Sequence, residues 1–278
     1  MQNLNGEIFK NRRQDLNLTQ NELALGITSQ ATICAIERGI VPNINILQPI
    51  MERLNLSYKE AFPNGFLPES RFDLIHSKLD KEHFRQVIEE LNAIRQNSLC
   101  TSIDFQKYHY LYASAYFHYG RIDDANFHCD ELFNVPDQQK IWFYYALANT
   151  IKAQIWHRSG DYYKAGICFD RVVDLLKAHP YHESSSMTSY IRMYQALAEH
   201  HLELSDLPRS EFYLKKAFKI LKSNDSSWHF GELILIKARI AEGLKDYHLK
   251  SELLVTAKHL HDFCKSPKLK KMIEENRL

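Results

Sequence analysis

Residues 18–39 read LTQNELALGITSQATICAIERG, and this stretch decides the fold of the N-terminal part of the chain. Thr19 can cap a helix, and Glu22, three residues later, completes a capping box. Ser29 offers a second N-cap, and Gly39 stands where a helix can end in the left-handed conformation that glycine adopts at little cost. The stretch therefore predicts two short helices joined by a tight turn.

More short helices are predicted on both sides of this stretch. One precedes it, and two follow it, over residues 44–54 and from a cap at Ser57 to Phe62. The densest proline and glycine cluster of the chain comes next, which is typical of a domain boundary. We therefore expect a first domain over residues 1–62 and a linker over residues 63–69.

Beyond the linker, the sequence repeats a unit of two long amphipathic helices. The clearest copy is Ala113-x2-Tyr116-x3-Gly120-x4-Ala125-x3-Cys129-x2-Leu132. The same spacing of small, aromatic and turn positions recurs from Ala153, from Ala198 and, more weakly, from Ala238. Residues 79–91 form a degenerate first copy.

This spacing is that of the tetratricopeptide repeat, in which a small residue on helix A lets helix B approach closely. The turn positions Gly120, Gly160 and Ser205 are 40 and 45 residues apart, whereas the standard repeat has about 34 residues. Such helix pairs stack into a superhelix with a concave inner wall. We expect about five repeats in a right-handed α-solenoid over residues 70–265, closed by a capping helix within residues 266–278.

The composition agrees with an all-α chain of one or two domains. Only 9 of the 278 residues are glycine and 8 are proline, whereas 45% are hydrophobic. Such a scarcity of chain breakers disfavours a turn-rich β protein, collagen and a disordered chain. The formal net charge is +1, so any DNA binding must come from a local surface.

The sequence gives two expectations about compartment. The first residues lack the basic segment and apolar run of a secretory leader, and no stretch approaches the roughly 18 uninterrupted apolar residues of a membrane helix. We therefore expect a cytoplasmic protein with no membrane partner. The five cysteines are widely spaced and contain no Cys-x-x-Cys pair, so we expect small buried side chains instead of disulfides or a zinc ribbon.

Residues 18–39, together with Pro42, resemble the helix-turn-helix of phage-repressor type, and the match spans most of residues 4–62. The resemblance implies that the second helix of the motif enters the major groove with its N-terminal residues on base edges. Gln30 is the side chain that we expect to read a base, because an amide can pair bidentately with adenine. Gln20 resembles the glutamine with which such domains contact phosphate. The candidate DNA contacts are Gln20, Ser29, Gln30, Ala31, Thr32, Arg38 and Asn43.

Arg13 and Glu37 have a different predicted role. In domains of this type, an arginine late in the first helix commonly pairs with the glutamate of the recognition helix, which implies a structural ion pair. Residues 1–62 contain six Lys and Arg against six Asp and Glu, and Ala35 stands where such motifs often carry arginine. Nonspecific phosphate attraction should be weak, so dimerisation and base readout must supply much of the affinity.

The whole chain is similar to the PlcR group of the Rgg/PlcR/PrgX peptide-pheromone receptors. The similarity rests on the segments GITSQ (26–30) and PNINILQ (42–48), and on a short helix-turn-helix domain joined to about five long-period repeats. It implies a bacterial quorum-sensing transcription regulator whose repeat domain binds a short, re-imported signalling peptide. It also implies a homodimer and hence an approximately palindromic double-stranded operator. We expect an activator.

The helix A positions that face the concave groove are the candidate peptide contacts. An asparagine or glutamine amide can bond both the N–H and the C=O of an extended peptide, and Lys107, Arg192 or Arg239 can take its C-terminal carboxylate. The aromatic residues within 108–119 are expected to be mostly core. The candidate set is Lys107, Tyr110, Ser114, Asn149, Thr150, Gln154, His157, Arg192, Gln195, Glu199 and Arg239.

Enzyme and metal functions find little support. The chain has no Gly-x-Gly-x-x-Gly, Gly-x-Ser-x-Gly or His-Glu-x-x-His motif and no phosphate loop. Among the histidines, only His261 with Cys264 has i,i+3 spacing, and two ligands do not make a site. We expect no enzyme, no cofactor and no metal. Two alternatives stay open: a peptide-independent interaction scaffold with weak or lost DNA binding, and a thiol-responsive repressor that uses Cys34.

Overall fold

The computed structural model describes residues 4–56, 58–62, 71–94, 99, 101–182, 185–264 and 267–275. All regular secondary structure in these residues is helical. The all-α fold class is confirmed. The backbone divides into two compact units, Met1–Arg71 and Phe72–Leu278. The predicted linker, residues 63–69, and the predicted cap Ser57 lie outside the described residues. None of the described helices is long and apolar enough to cross a membrane.

The first unit contains a helix-turn-helix with the caps that the sequence predicts. Thr19 Oγ1 accepts a hydrogen bond from the Glu22 N–H at 3.2 Å, and the Glu22 carboxylate accepts one from the Thr19 N–H at 2.7 Å. Ser29 Oγ likewise accepts from the Thr32 N–H at 3.3 Å. The described helices of this unit are α1 (Gly6–Asp15), α2 (Gln20–Ala24), α3 (Gln30–Glu37), α4 (Ile44–Arg53) and α5 (Tyr58–Ala61).

An apolar core holds these short helices together. Its members come from every helix of the unit, including Phe9, Leu23, Ile33, Ile36, Leu47, Ile50, Leu54 and Ala61. The first turn of α1 also touches the end of α3. A Cβ on Gly6 would lie 2.5 Å from the carbonyl oxygen of Glu37, so this close approach requires glycine.

The second unit is a series of helical hairpins. Its described helices are α6 (Arg71–Asp80), α7 (Phe84–Asn92), α8 (Ser102–Tyr119), α9 (Ile122–Phe133), α10 (Trp142–Arg158), α11 (Tyr162–Ala178), α12 (Met187–Glu203), α13 (Leu207–Ser223), α14 (Phe230–Gly243), α15 (Tyr247–Cys264) and α16 (Pro267–Glu275). Within hairpins, α8 packs on α9, α10 on α11, α12 on α13 and α14 on α15. The first helices of neighbouring hairpins also pack on one another, which produces the stacked arrangement.

The turn inside each hairpin has a left-handed backbone at the predicted position. Gly120 and Gly160 have φ of 90° and 79°, and Ser205 and Lys245 have φ of 59° and 62°. Glu82, between α6 and α7, has φ of 60°. The degenerate first copy therefore extends beyond the predicted residues 79–91 and covers two helices. A positive φ is unfavourable for a side-chain-bearing residue, so the hairpin geometry overrides local preference at the last three of these positions.

The predicted small positions are the contact points between paired helices. Ala113, Ala153 and Ala198 on the first helices are fully buried. Ala165 and Ser210 on the second helices are also fully buried, and the Ser210 hydroxyl donates to the Ala198 carbonyl at 2.8 Å. The polar group of this serine is thus satisfied at the place where alanine stands in other copies.

The hairpin of α8 and α9 has an aromatic and histidine-rich core. Most of the aromatic run is buried as expected, although Tyr119 is 53% exposed. His109 on α8 and His128 on α9 lie with their Nδ1 atoms 2.9 Å apart. Burial lowers the pKa of each imidazole to about 4, so both rings are neutral near pH 7 and act as core residues.

A short helix covers the last hairpin, close to the predicted capping helix within residues 266–278. Leu269 and Ile273 of α16 are buried against Ile234, Leu235 and other apolar residues of α14 and α15. A Cβ on Gly231 would lie 2.6 Å from Leu269 Cδ2, which shows how closely α16 approaches α14.

Replacement of Ala165 by leucine tests whether the small position sets the helix spacing. The larger side chain must push α11 away from α10, and we expect the free energy of unfolding of the full chain to fall by about 1–3 kcal/mol in urea denaturation followed by circular dichroism. The adjacent Gly166→Ala is the matched control. A Cβ there meets nothing within 4 Å, so this change should stabilise the helix by about 0.5–1 kcal/mol. A neutral Ala165→Leu would contradict the interpretation.

Candidate functional site

The exposed side of α3 and its two capping residues, Ser29 and Arg38, carry most of the predicted DNA contacts. Gln30, Ala31 and Arg38 are exposed, and Thr32 is half-buried. The hydroxyl oxygens of Ser29 and Thr32 lie 3.0 Å apart, so both groups take part in the helix cap. Asn43, also in the predicted set, is exposed just before α4. The first turn of α3 therefore presents an amide beside small and hydroxylated side chains.

Gln20 joins the base-reading candidate to the structural ion pair. Its Nε2 donates to Glu37 Oε2 at 2.8 Å, and its Oε1 accepts from Gln30 Nε2 at 3.4 Å. The ion pair expected between Arg13 and Glu37 is present, with Arg13 Nε 2.6 Å from Glu37 Oε1. Arg13 Nη1 also donates to the Leu18 carbonyl at 2.8 Å. This network ties α1, α2 and α3 together beneath Gln30.

The ion pair is largely shielded from solvent. The side chains of Arg13 and Glu37 are 12% and 7% exposed. Burial by itself raises the pKa of the Glu37 carboxyl, but the hydrogen bonds from Arg13 and Gln20 and the charge of Arg13 outweigh it, so the pKa lies below its usual value. The carboxylate in turn raises the pKa of Arg13. Both groups stay charged near neutral pH.

Three arginines of the first unit have internal partners. Arg12 pairs with Glu60 at 3.2 Å, and Arg13 pairs with Glu37. Arg53 Nη1 donates to the carbonyl oxygens of Leu23 and Leu25 at 2.9 and 2.8 Å, at the end of α2. Lys10 and Arg38 are exposed and make no ion pair among the described residues. Few cations thus remain for phosphate contacts.

In the second unit, an open cavity lies among the first helices of the hairpins, with about 550 Å³ of space between protein atoms, part of which is open to solvent. Six of the predicted peptide contacts line it: Tyr110, Ser114, Thr150, Gln154, Arg192 and Gln195. The sequence analysis missed six further lining residues: Glu82, Phe84, His118, Leu147, Ile151 and His229. No helical periodicity marks Glu82 or His229, because each lies in a turn that precedes a helix.

A second cavity of about 380 Å³ adjoins the first through a shared residue. Gln154 lines both cavities, and His157 and Glu199 of the predicted set line the second. Their neighbours there are Phe117, Arg158, Phe169, Ala196 and His200. Burial lowers the pKa of His200 to about 4 and also lowers the pKa of His157. The two cavities together form a groove with amide, hydroxyl and aromatic groups.

Three of the predicted peptide contacts line neither cavity. Lys107 pairs with Asp73 of α6 at 3.3 Å. Arg239 pairs with Glu203 at the end of α12. Asn149 is fully buried, and its Nδ2 donates to the Tyr145 carbonyl at 2.8 Å. The structure therefore brings together eight of the eleven predicted side chains and separates these three from them.

Asp80, at the end of α6, links the first hairpin (α6 and α7) to the fourth (α12 and α13) and the fifth (α14 and α15). Its carboxylate lies 3.1 Å from Arg192 Nη2 and accepts from the Thr188 hydroxyl at 3.0 Å. Its carbonyl accepts from Trp228 Nε1 at 3.1 Å, and the Arg192 guanidinium lies over the Trp228 ring, 5.2 Å from its centroid. We call these four residues the Asp80 link. Arg192 of this link lines the larger cavity.

The two units define a class of protein in which a helix-turn-helix is followed by stacked helical hairpins. Residues 9–60 match the family HTH_3, described as helix-turn-helix. Among curated protein sequences, none matches this chain.

Solved structures of this class resemble the whole chain. PlcR of Bacillus thuringiensis, in a complex with the peptide PapR7 and DNA, has a TM-score of 0.63 and 18% identity, over 96% of this chain and 98% of that chain. Apo ComR of Streptococcus vestibularis has a TM-score of 0.53 and 14% identity, over 98% and 96%. Apo ComR of S. thermophilus has a TM-score of 0.53 and 13% identity, over 100% and 99%. The fold of this chain is that of PlcR and ComR, so the resemblance expected from the sequence is confirmed at the level of the fold.

Replacement of Arg13 by alanine tests the structural role of the ion pair. Loss of the guanidinium leaves the Glu37 carboxylate buried without its main partner, and we expect a destabilisation of about 3 kcal/mol. The measurement is amide hydrogen exchange of α2 and α3 in the full chain. Arg12→Ala is the control. The side chains of Arg12 and Glu60 are each about 40% exposed, so the loss of stability should stay below about 1 kcal/mol. Equal effects of the two variants would refute the structural role.

Proposed function

We propose that this chain is a transcription regulator of the Rgg/PlcR/PrgX type, which binds DNA through α3 and a short signalling peptide in the groove of the repeat unit. The observation that carries the proposal is the presence, in one chain, of an exposed amide at the start of a recognition helix and of a groove lined by peptide-bonding groups. PlcR, which shares this fold at 18% identity, has been solved with a peptide and with DNA. The proposal makes the chain a cytoplasmic, bacterial quorum-sensing regulator and not an enzyme.

The DNA half of the proposal depends on base readout by α3. Gln30 is exposed at the first position of the helix, where the major groove admits side chains. Ala31 beside it leaves room for a base edge. Because Lys10 and Arg38 are exposed while Arg12, Arg13 and Arg53 have internal partners, a single copy has little attraction for phosphate. Two copies on a palindromic operator would double both the base contacts and the attraction to phosphate.

The peptide half depends on the groove formed by α8, α10 and α12. Gln154 and Gln195 can bond an extended backbone, and Leu147 with Ile151 supplies an apolar floor. Arg192 is the guanidinium on this wall, and it already pairs with Asp80. A C-terminal carboxylate that binds Arg192 therefore replaces or shares a partner within the Asp80 link. Peptide binding would thus alter how the first hairpin contacts the fourth.

A surface of the repeat unit supports the homodimer. Phe127, Ile167 and Phe212 occupy equivalent positions on the second helices of three successive hairpins, and they are 56%, 40% and 53% exposed. Exposed apolar patches mark interaction sites, and the repeat places these three side chains along successive second helices. We propose that a second copy covers this surface, and we expect the dimer to activate transcription.

The test of DNA binding is Gln30→Ala in the full chain. The probe is a duplex selected from a random-sequence pool by the wild-type protein, and binding is measured by gel shift. We expect the variant to lose its preference at one base pair of each half-site. It should bind the duplex about 2–6 kcal/mol more weakly, because a bidentate contact worth about 1–3 kcal/mol is removed in each of the two half-sites. Light scattering of the complex should give two chains per duplex.

Gln14→Ala is the matched control, since Gln14 is an exposed glutamine on α1. It should bind like the wild type. If both variants bind equally well, or if no duplex is selected, the interaction scaffold is the better interpretation. If oxidant releases the DNA and Cys34→Ser abolishes that response, the thiol-responsive repressor is favoured, because Cys34 lies half-buried on α3.

The test of peptide binding is Gln154→Ala, because Gln154 borders both cavities. A library of short synthetic peptides with free carboxyl termini supplies the ligand, and calorimetry measures its affinity. Loss of one neutral hydrogen bond should weaken binding by about 0.5–1.5 kcal/mol. Gln138→Ala, in an exposed turn outside the groove, should have no effect. If Gln138→Ala weakens peptide binding and Gln154→Ala does not, the peptide binds elsewhere.

A further inference from the structure

A set of metal-binding side chains converges at the edge of the larger cavity. The carboxylates of Glu82 and Glu232 and the imidazole of His229 offer ligand atoms that all lie within 4.8 Å of one another. His229 Nε2 is 3.4 Å from Glu82 Oε1. The His229 side chain is 10% exposed, and Glu232 is 6% exposed. Two of the three side chains thus lie largely away from bulk solvent, where fixed ligands hold a cation well.

The orientation of His229 fits that of a metal-binding histidine. Its Nδ1 lies 3.1 Å from Gln195 Oε1, and Gln195 Nε2 donates to Glu199 at 2.9 Å, which fixes the amide with its carbonyl towards the imidazole. Nδ1 therefore carries the proton in the neutral ring, and Nε2 presents its lone pair on the side of Glu82. Metal-ligating histidines commonly donate their other N–H to a carbonyl in this way. Trp228 stacks on the ring at 3.7 Å and restricts its rotation.

The backbone holds two of the three ligands in an uncommon conformation. Glu82 and His229 have φ of 60° and 54°, in the left-handed region that residues with a side chain seldom adopt. Each is placed in a turn, Glu82 between α6 and α7 and His229 just before α14, and Glu232 follows in the first turn of α14. The backbone thus brings the side chain of Glu82 close to those of His229 and Glu232, which lie far from it in the sequence.

The charge of the cluster favours a divalent cation. Two carboxylates held close together in a partly desolvated site repel each other, and each loses hydration. A divalent ion balances both charges at once. One imidazole nitrogen with two carboxylate oxygens is a donor set used by Zn²⁺ and other divalent transition metals.

We propose that Glu82, His229 and Glu232 bind one divalent transition-metal ion, which joins the turn between α6 and α7 to the start of α14. Water completes the coordination, since the three side chains supply only part of it. Such an ion adds a second connection between the first and fifth hairpins beside the Asp80 link. It also fixes one edge of the groove, because Glu82 and His229 line the larger cavity. Metal binding at this cluster requires neither the peptide nor the DNA proposed above.

The experiment titrates the chelator-treated full chain with Zn²⁺ by calorimetry and with Co²⁺ by visible absorption. We expect saturable binding of one ion to the cluster, a Co²⁺ d–d spectrum that differs from that of the hydrated ion, and a thermal midpoint that rises with metal concentration. Gln195→Ala removes the partner of Nδ1 and should lower affinity about 10–100-fold. Glu232→Gln and Glu82→Gln each remove one ligand. Each should lower the metal affinity further than Gln195→Ala does and abolish the spectrum of protein-bound Co²⁺.

Glu242→Gln is the matched control, on the same helix but outside the cluster, and it should bind as the wild type does. The proposal is overturned if no saturable binding occurs. It is also overturned if Glu232→Gln and Glu82→Gln bind as tightly as Glu242→Gln, because the metal would then lie at other histidines. The use of two ligand variants guards against misfolding, since Glu82 lies in a turn and its side chain is 28% exposed.

Discussion

The close approach of two helices at a small buried residue is the interaction on which the repeat unit depends. Ala113, Ala153 and Ala198 each leave room for the second helix of their hairpin, and the left-handed turn that follows directs that helix back along the first. A single hairpin buries only part of its apolar surface, so the next must pack on it. Stacking then lines up α8, α10 and α12, and the groove is formed by this alignment and not by a local motif.

The features that could be predicted from the sequence are those that local chemistry determines. Thr19 with Glu22 and Ser29 with the start of α3 form caps within three residues, and the left-handed turn at Lys245 follows from the repeat spacing even without glycine. The groove wall was predictable for the same reason, because helix periodicity places Ser114 and Gln154 on one side. The Asp80–Arg192 pair was not, since it depends on how far the superhelix curves before its first hairpin meets its fourth.

Charge counting alone also misjudges which cations can bind a ligand. Lys107, Arg192 and Arg239 are equivalent as candidates for a peptide carboxylate, yet each pairs with an acidic side chain from another helix. The same holds for Arg13 in the first unit, whose guanidinium is paired with the carboxylate of Glu37. A sequence gives the number of charges, whereas the packing of helices decides which charges are already balanced. In the function that we propose, the amides of Gln30 and Gln154 would carry more of the recognition for this reason.

The groove and the contacts between distant hairpins share residues, and this has a thermodynamic consequence. Arg192 lines the larger cavity and holds Asp80, while Gln195 lines it and orients His229. A ligand that hydrogen-bonds to either side chain competes with those contacts or strengthens them. A ligand bound in the groove would therefore be linked to the contacts between the first, fourth and fifth hairpins, and a ligand that binds more tightly when those contacts are made would favour them. No separate hinge is required, because the side chains that meet the ligand are those that hold the hairpins together.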